Sequence, residues 1–210
     1  LEVLSGTNVT NDTDASMVEL GFEAGGRRLG GGIRLNARMT DDDLLESTST
    51  VDTSGQSGNF FAHLTIRPGG RKFRMPIRIG PEIRSNVLDI SSGTIGALSE
   101  VDWVTVGGAV EIEPEFDLFR SNRSALSIYG RAHFGAGIAQ ASTATTDYDT
   151  ESINLGAEFG VRYQAAKFLI SGGYMLHQTE YDESDPEGLS FIDETTWSFQ
   201  GFFVSLGIRW

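Results

Sequence analysis

The 210-residue sequence contains no cysteine. No disulfide framework and no thiolate metal site is therefore available to it. Lysine is confined to Lys72 and Lys167, so nearly all positive charge is arginine. Basic residues number 16 against 29 acidic ones, a net charge of −13, which argues against nucleic acid as a partner. No apolar run approaches the roughly 20 residues of a membrane helix. That absence does not exclude a membrane barrel, whose strands carry lipid-facing residues only at every second position. No export signal is legible at the N-terminus, so an exported chain is expected to have begun before Leu1.

Glycine, by contrast, is abundant at 26 and proline scarce at 5, a balance that suits a sheet with tight turns better than a disordered chain. Period-2 alternation runs through nearly the whole chain as a single domain, 1–210. Nine strands are predicted, at 16–24, 28–39, 58–67, 72–83, 103–118, 124–138, 152–163, 168–181 and 196–210. In the fifth, Val104, Val106, Val110, Ile112, Phe116 and Leu118 share one face, while Thr105, Glu111, Glu113, Glu115 and Asp117 share the other.

The connections alternate in length. Segments 25–27, 68–71, 119–123 and 164–167 are short, whereas 40–57, 84–102, 139–151 and 182–195 are long and polar. Short turns at one end and long loops at the other are the pattern of a membrane-spanning meander. The expected fold is all-β: an antiparallel up-and-down transmembrane β-barrel with short periplasmic turns and long extracellular loops. Bacterial single-chain barrels have even strand counts, so about ten strands are expected, with eight as the alternative. In the ten-strand version Leu1–Ser5 is the top of an upward strand that partners the one ending at Trp210. Pro76 and Pro114 fall near short turns, where pairing can lapse; Pro81 predicts a bulge or an early strand end.

The polar strand faces carry eight carboxylates, Glu19, Glu23, Glu82, Glu111, Glu113, Glu115, Asp117 and Glu158. They also carry eight guanidiniums, Arg34, Arg38, Arg67, Arg74, Arg78, Arg131, Arg162 and Arg209. A solvated sheet face uses lysine freely, whereas an enclosed lumen favours the bidentate fork of arginine and needs its charges matched. A lumen network is therefore expected among Arg34, Arg38, Arg74, Arg78, Arg131, Arg162, Glu19, Glu111, Glu113 and Glu158. Of the eight remaining basic residues, seven (Arg27, Arg28, Arg71, Lys72, Arg120, Arg123 and Lys167) fall in or beside short turns, while the remaining acids gather towards the long loops. Arg84 is the exception.

The last strand reads Gly201-Phe202-Phe203-Val204-Ser205-Leu206-Gly207-Ile208-Arg209-Trp210, with Phe202, Val204, Leu206, Ile208 and Trp210 on one face. This segment resembles the C-terminal strand of Gram-negative outer-membrane barrels, and Gly-Ile-Arg-Trp is similar to their Gly-aromatic-Arg-Phe ending. It departs from that pattern in Ile208 and in the terminal tryptophan. The resemblance implies that Phe202, Val204, Leu206, Gly207, Ile208 and Trp210 form the signal read by the barrel-assembly machinery, and that the chain resides in the bacterial outer membrane. Aromatic residues Trp103, Phe116, Phe119, Tyr163, Phe168, Tyr174, Trp197 and Trp210 lie near strand ends, as interfacial girdles do or as strand propensity alone would place them.

Chemistry is sparse. His63, His133 and His177 fall on the polar face, where ordinary hydrogen bonding competes with metal ligation. The Glu111, Glu113, Glu115 and Asp117 ladder fits Arg pairing better than acid–base catalysis. Ser171 and His177 share a strand face but stand about 20 Å apart, too far for a nucleophile and its base. Asp41, Asp42, Asp43, Asp182 and Asp185 could hold a hard cation or simply form a solvated surface. No cofactor is expected. The expected function is non-enzymatic, a barrel with a side-chain-filled lumen serving a structural or partner-binding role in the cell envelope. The expected partners are outer-membrane lipid and lipopolysaccharide, the assembly machinery and an envelope protein. The alternatives are a narrow porin-like pore or transporter, an outer-membrane enzyme, and a soluble barrel or sandwich that binds a small ligand.

Overall fold

The computed structural model describes residues 2–5, 7–10, 16–26, 28–46, 49–70, 72–92, 96–142, 147–182 and 194–209. Within them the regular structure is entirely β. The strands are β1 (Glu2–Ser5), β2 (Thr7–Thr10), β3 (Ser16–Gly25), β4 (Leu29–Glu46), β5 (Ser49–Ile66), β6 (Phe73–Arg74) and β7 (Ile77–Ser92), followed by β8 (Gly96–Ile112), β9 (Glu115–Arg120), β10 (Ser124–Ser142), β11 (Asp147–Ala165), β12 (Phe168–Asp182) and β13 (Glu194–Arg209).

Proline defines two breaks. Pro76 separates β6 from β7 and Pro114 separates β8 from β9, because neither can donate to a ladder. Backbone bonds span the gaps: Glu113 N–H donates to Pro76 O at 2.9 Å and Gly130 N–H donates to Pro114 O at 3.0 Å. Each broken pair is thus one stave of the wall. Pro81 behaves differently from the expectation. β7 neither ends nor bulges there but continues to Ser92. The β5–β7 ladder omits the pairs opposite Gly80 and Pro81 and resumes in the same register, from Phe61↔Glu82 to Leu64↔Ile79.

The wall closes with nine staves rather than ten or eight, and the sheet is mixed rather than wholly antiparallel. β13 runs parallel to β3, Phe203–Arg209 beside Met17–Glu23. Parity is the reason: in a meander with an odd number of staves the first and last point the same way, so they can only meet in parallel. β1 pairs antiparallel with the other end of β13, Glu2–Leu4 against Thr196–Glu194, and β2 pairs with β1 outside the wall.

Much of the predicted long loops is strand. β4 and β5 stay paired out to Glu46↔Ser49, and β10 and β11 out to Ser142↔Asp147. Their apolar alternation fades, but the backbone ladder continues, because inter-strand hydrogen bonds do not require an apolar face. The short turns match their predicted positions. The tightest is Ala166-Lys167, where Ala166 takes φ 51°.

The barrel is apolar outside and polar inside. Phe202, Leu64 and Phe159 are 80%, 70% and 68% exposed, whereas Glu111 and Glu113 are fully buried. On β11 the outward run is Ile153, Leu155, Ala157, Phe159, Val161 and Tyr163. At about 3.3 Å per residue and a strand tilt near 40°, that run covers an axial height of about 25 Å. Phe73, Phe116, Phe119, Tyr163 and Phe168 are exposed towards the short-turn end. Trp103 does not join them; it points inward and stacks on Tyr181 with ring centroids 5.4 Å apart. Tyr174 meets Phe202 edge to face at 5.5 Å. The Trp197 side chain and all of Trp210 lie outside the described residues.

The lumen as candidate functional site

Strand pleat places the site. Glu111, Glu113, Glu115 and Asp117 occupy alternate positions across the β8–β9 break and all face inward. Arginines from other staves meet them. Arg34 on β4 reaches across the lumen to Glu111 with both terminal nitrogens, and its Nε lies 3.5 Å from Glu19. Arg78 on β7 lies 2.7 Å from Glu111, 3.2 Å from Glu113 and 3.6 Å from Glu23. Arg162 on β11 approaches Glu113 at 2.5 Å and Glu115 at 3.6 Å, while its Nε donates to Ser171 Oγ at 3.0 Å.

Arg131 on β10 is the hub. Its nitrogens lie 2.8 Å from Glu19, 3.0 Å from Glu113 and 2.8 Å from Glu158. Eight of the ten residues expected in the lumen network thus meet in one cluster. Arg74 sits nearer the short turns, paired with Glu115 at 2.8 Å and Asp117 at 2.6 Å. The Arg38 side chain lies outside the described residues. Arg67 adds a further pair with Glu23 at 2.7 Å. The pairing is mutual, so no carboxylate of this layer is left without a guanidinium within 4 Å, as enclosure requires.

Arg84 is the residue that sequence reasoning missed. The sequence pattern places it in a long loop, yet it faces inward on β7, 1% exposed, donating to Glu82 at 2.8 Å and to Thr179 at 3.4 Å. Its parity with Arg78 and Glu82 was the available signal. It belongs to a second filled layer towards the long-hairpin end, where Asn59 donates to Glu82 and Asn86 to the Tyr181 hydroxyl. Gly135 makes room for this layer: a Cβ there would lie 2.4 Å from Glu82 Oε2 and 3.2 Å from Arg84.

The three histidines face inward as expected. His133 and His177 flank Gly156, where a Cβ would lie 3.3 Å from His133 Cβ and 3.2 Å from His177 Nδ1. His133 Nε2 is 3.0 Å from Glu82. His63 lies beside Gly32 and stacks on Phe61 at 5.1 Å, and Phe61 meets His133 edge-on at 5.8 Å. An aromatic ring thus separates His63 from His133. Among the described residues no group of three His, Asp or Glu side chains is arranged to hold a metal ion. Asp185 lies outside the described residues, as do the side chains of Asp41, Asp42, Asp43 and Asp182.

Two cavities, of about 20 and 50 Å³, flank the Glu19–Arg131 layer on either side. They are large enough for roughly one water and a few waters respectively. In the last strand, Phe202, Val204, Leu206 and Ile208 point outward, whereas Gly207 turns inward opposite Gly21 of β3. No family model, curated protein or solved structure matches this chain.

Proposed function

We propose that the chain is a plugged, non-enzymatic β-barrel of a Gram-negative outer membrane, serving a structural or partner-binding role in the envelope. The observation that carries this reading is the inversion of polarity. A soluble barrel buries its apolar face, whereas here the ions are buried and the apolar side chains face out. The outward belt is about 25 Å high, the height of the apolar band on outer-membrane barrels. Hydrophobic exposure on this scale favours lipid over water, at about 25 cal/mol per Å² of apolar surface. Basic residues beside the short turns and acidic residues towards the long hairpins suit an orientation with the turns in the periplasm. The assembly machinery would then read the outward Phe202, Val204, Leu206 and Ile208 of β13. Nine staves depart from the even counts of bacterial single-chain barrels, so the membrane test is decisive.

Two measurements test the reading. The folded protein is expected to float with lipid vesicles and to migrate faster before boiling than after; a protein that stays soluble without detergent refutes it. In planar bilayers the matched Arg–Glu layers are expected to give no steady current, and ohmic single-channel steps would replace the plugged barrel with a narrow pore.

A further inference from the structure

The outer wall carries a groove of about 690 Å³, within the roughly 300–1,000 Å³ of ligand pockets. Its floor is Ala132 on β10 and Ala157 on β11, adjacent and both exposed. Ile112, Phe134, Leu155 and Leu176 rise around that floor. One end is polar: Gln178, Ser198 and Gln200.

The polarity follows a gradient fixed by strand tilt. Pairing aligns Ile112, Ala132, Ala157, Leu176 and Gln200 in one row across five staves. On β10, Ala132 is mid-belt, with Leu126 and Ile128 on one side and Phe134 and Ile138 on the other. On β13, Gln200 is the belt's edge: Phe202 to Ile208 are apolar on one side and Ser198 and Thr196 polar on the other. The same row therefore climbs from the middle of the apolar belt to its long-hairpin boundary. Four inter-strand steps of about 4.8 Å make it about 19 Å long. At a strand tilt near 40° that row climbs about 12 Å along the barrel axis, and half of a roughly 25 Å apolar band is also about 12 Å.

We propose that this groove holds one acyl chain of a membrane lipid of the leaflet on the long-hairpin side. The chain lies over Ala132 and Ala157, and the headgroup accepts hydrogen bonds from the Gln200 amide and the Ser198 hydroxyl. The proposal rests on the membrane reading. An amphiphile is the occupant whose own polarity changes in the same direction over the same length.

Native mass spectrometry of the detergent-solubilised barrel, titrated with lipid A, the acylated anchor of lipopolysaccharide, tests it. The parent protein is expected to keep one lipid adduct, and Ala132→Leu/Ala157→Leu to lose it. Ala37→Leu, an outward residue on β4 away from the groove, is expected to keep it. Unboiled gel mobility confirms that each variant is folded, and Ala157→Leu alone serves if the double variant is not. No adduct on the parent, equal adducts on all variants, or a groove-dependent dimer in place of the lipid each overturns the acyl-chain site. Failure of the parent to float with vesicles containing the same lipid removes the membrane reading itself; floating without a groove-specific adduct overturns only the site.

Discussion

Replacing Arg131 with methionine tests the lumen network at its hub. The guanidinium lies within 3.0 Å of Glu19, Glu113 and Glu158. At an effective dielectric of about 20, each such pair represents roughly 5 kcal/mol of attraction, most of it offset by desolvation of the ions. Losing one partner of a buried ion pair costs about 3–5 kcal/mol, because the remaining charge stays buried and uncompensated. Glu113 keeps Arg78 and Arg162, and Glu19 keeps Arg34. Glu158 has no other guanidinium within 4 Å among the described residues. Arg131→Met is therefore expected to destabilise the barrel by about 3–5 kcal/mol, with Glu158 the main orphan. Adding Glu158→Gln removes that orphan and should recover about 2 kcal/mol, a coupling typical of contacting residues. Urea unfolding of the vesicle-bound barrel, followed by tryptophan emission and unboiled gel mobility, reads both numbers. A single variant within about 1 kcal/mol of the parent refutes the network as a cohesive element, as does a double variant no better than the single.

Three further outcomes follow from other positions. Gly135→Val drives side-chain atoms into Glu82 and Arg84; it should cost about 1–3 kcal/mol by overpacking, read as a lower urea midpoint. Ala166→Asn relieves a left-handed φ of 51° and should raise the urea midpoint by about 0.5–1 kcal/mol worth of stability, with no change if that backbone is not strained. Val18 and Val204 are parallel partners across the closure, and the chain has no native cysteine to compete. Val18→Cys/Val204→Cys should therefore form a disulfide under mild oxidation, seen as altered mobility of the boiled, unreduced protein; persistent free thiols would mean that β3 does not lie beside β13.

The faces of the wall were legible because pleat period and burial coincide: one parity count along 104–118 separates Val106 from Glu111 without any knowledge of neighbours. Partners were less legible. Arg34 and Glu111 stand 77 residues apart and meet across the lumen, a contact set by the circumference of the barrel, which no local pattern encodes. Arg84 and Trp103 were misplaced because apolar alternation fades beside them while the ladder goes on; Arg84 keeps the parity of Arg78 and Glu82, Trp103 keeps that of Thr105, and both face inward. Closure was the least legible feature. Alternation predicts each stave separately, but the direction of the final pairing depends on the parity of their number, so a single stave decides whether β13 meets an antiparallel or a parallel neighbour. β13 meets both: β1 runs antiparallel to it at Glu194–Thr196, and β3 parallel to it from Phe203 onward. The parallel stretch spans only seven register pairs, against nineteen between β10 and β11. Parallel pairing is also slightly less stable per residue. The closure is therefore where the wall has the fewest bonds to lose, and the cysteine pair at Val18 and Val204 should raise the resistance of the barrel to urea more than an equivalent pair between β10 and β11. Equal gains at both places would mean that the β3–β13 seam is no weaker than the rest of the wall.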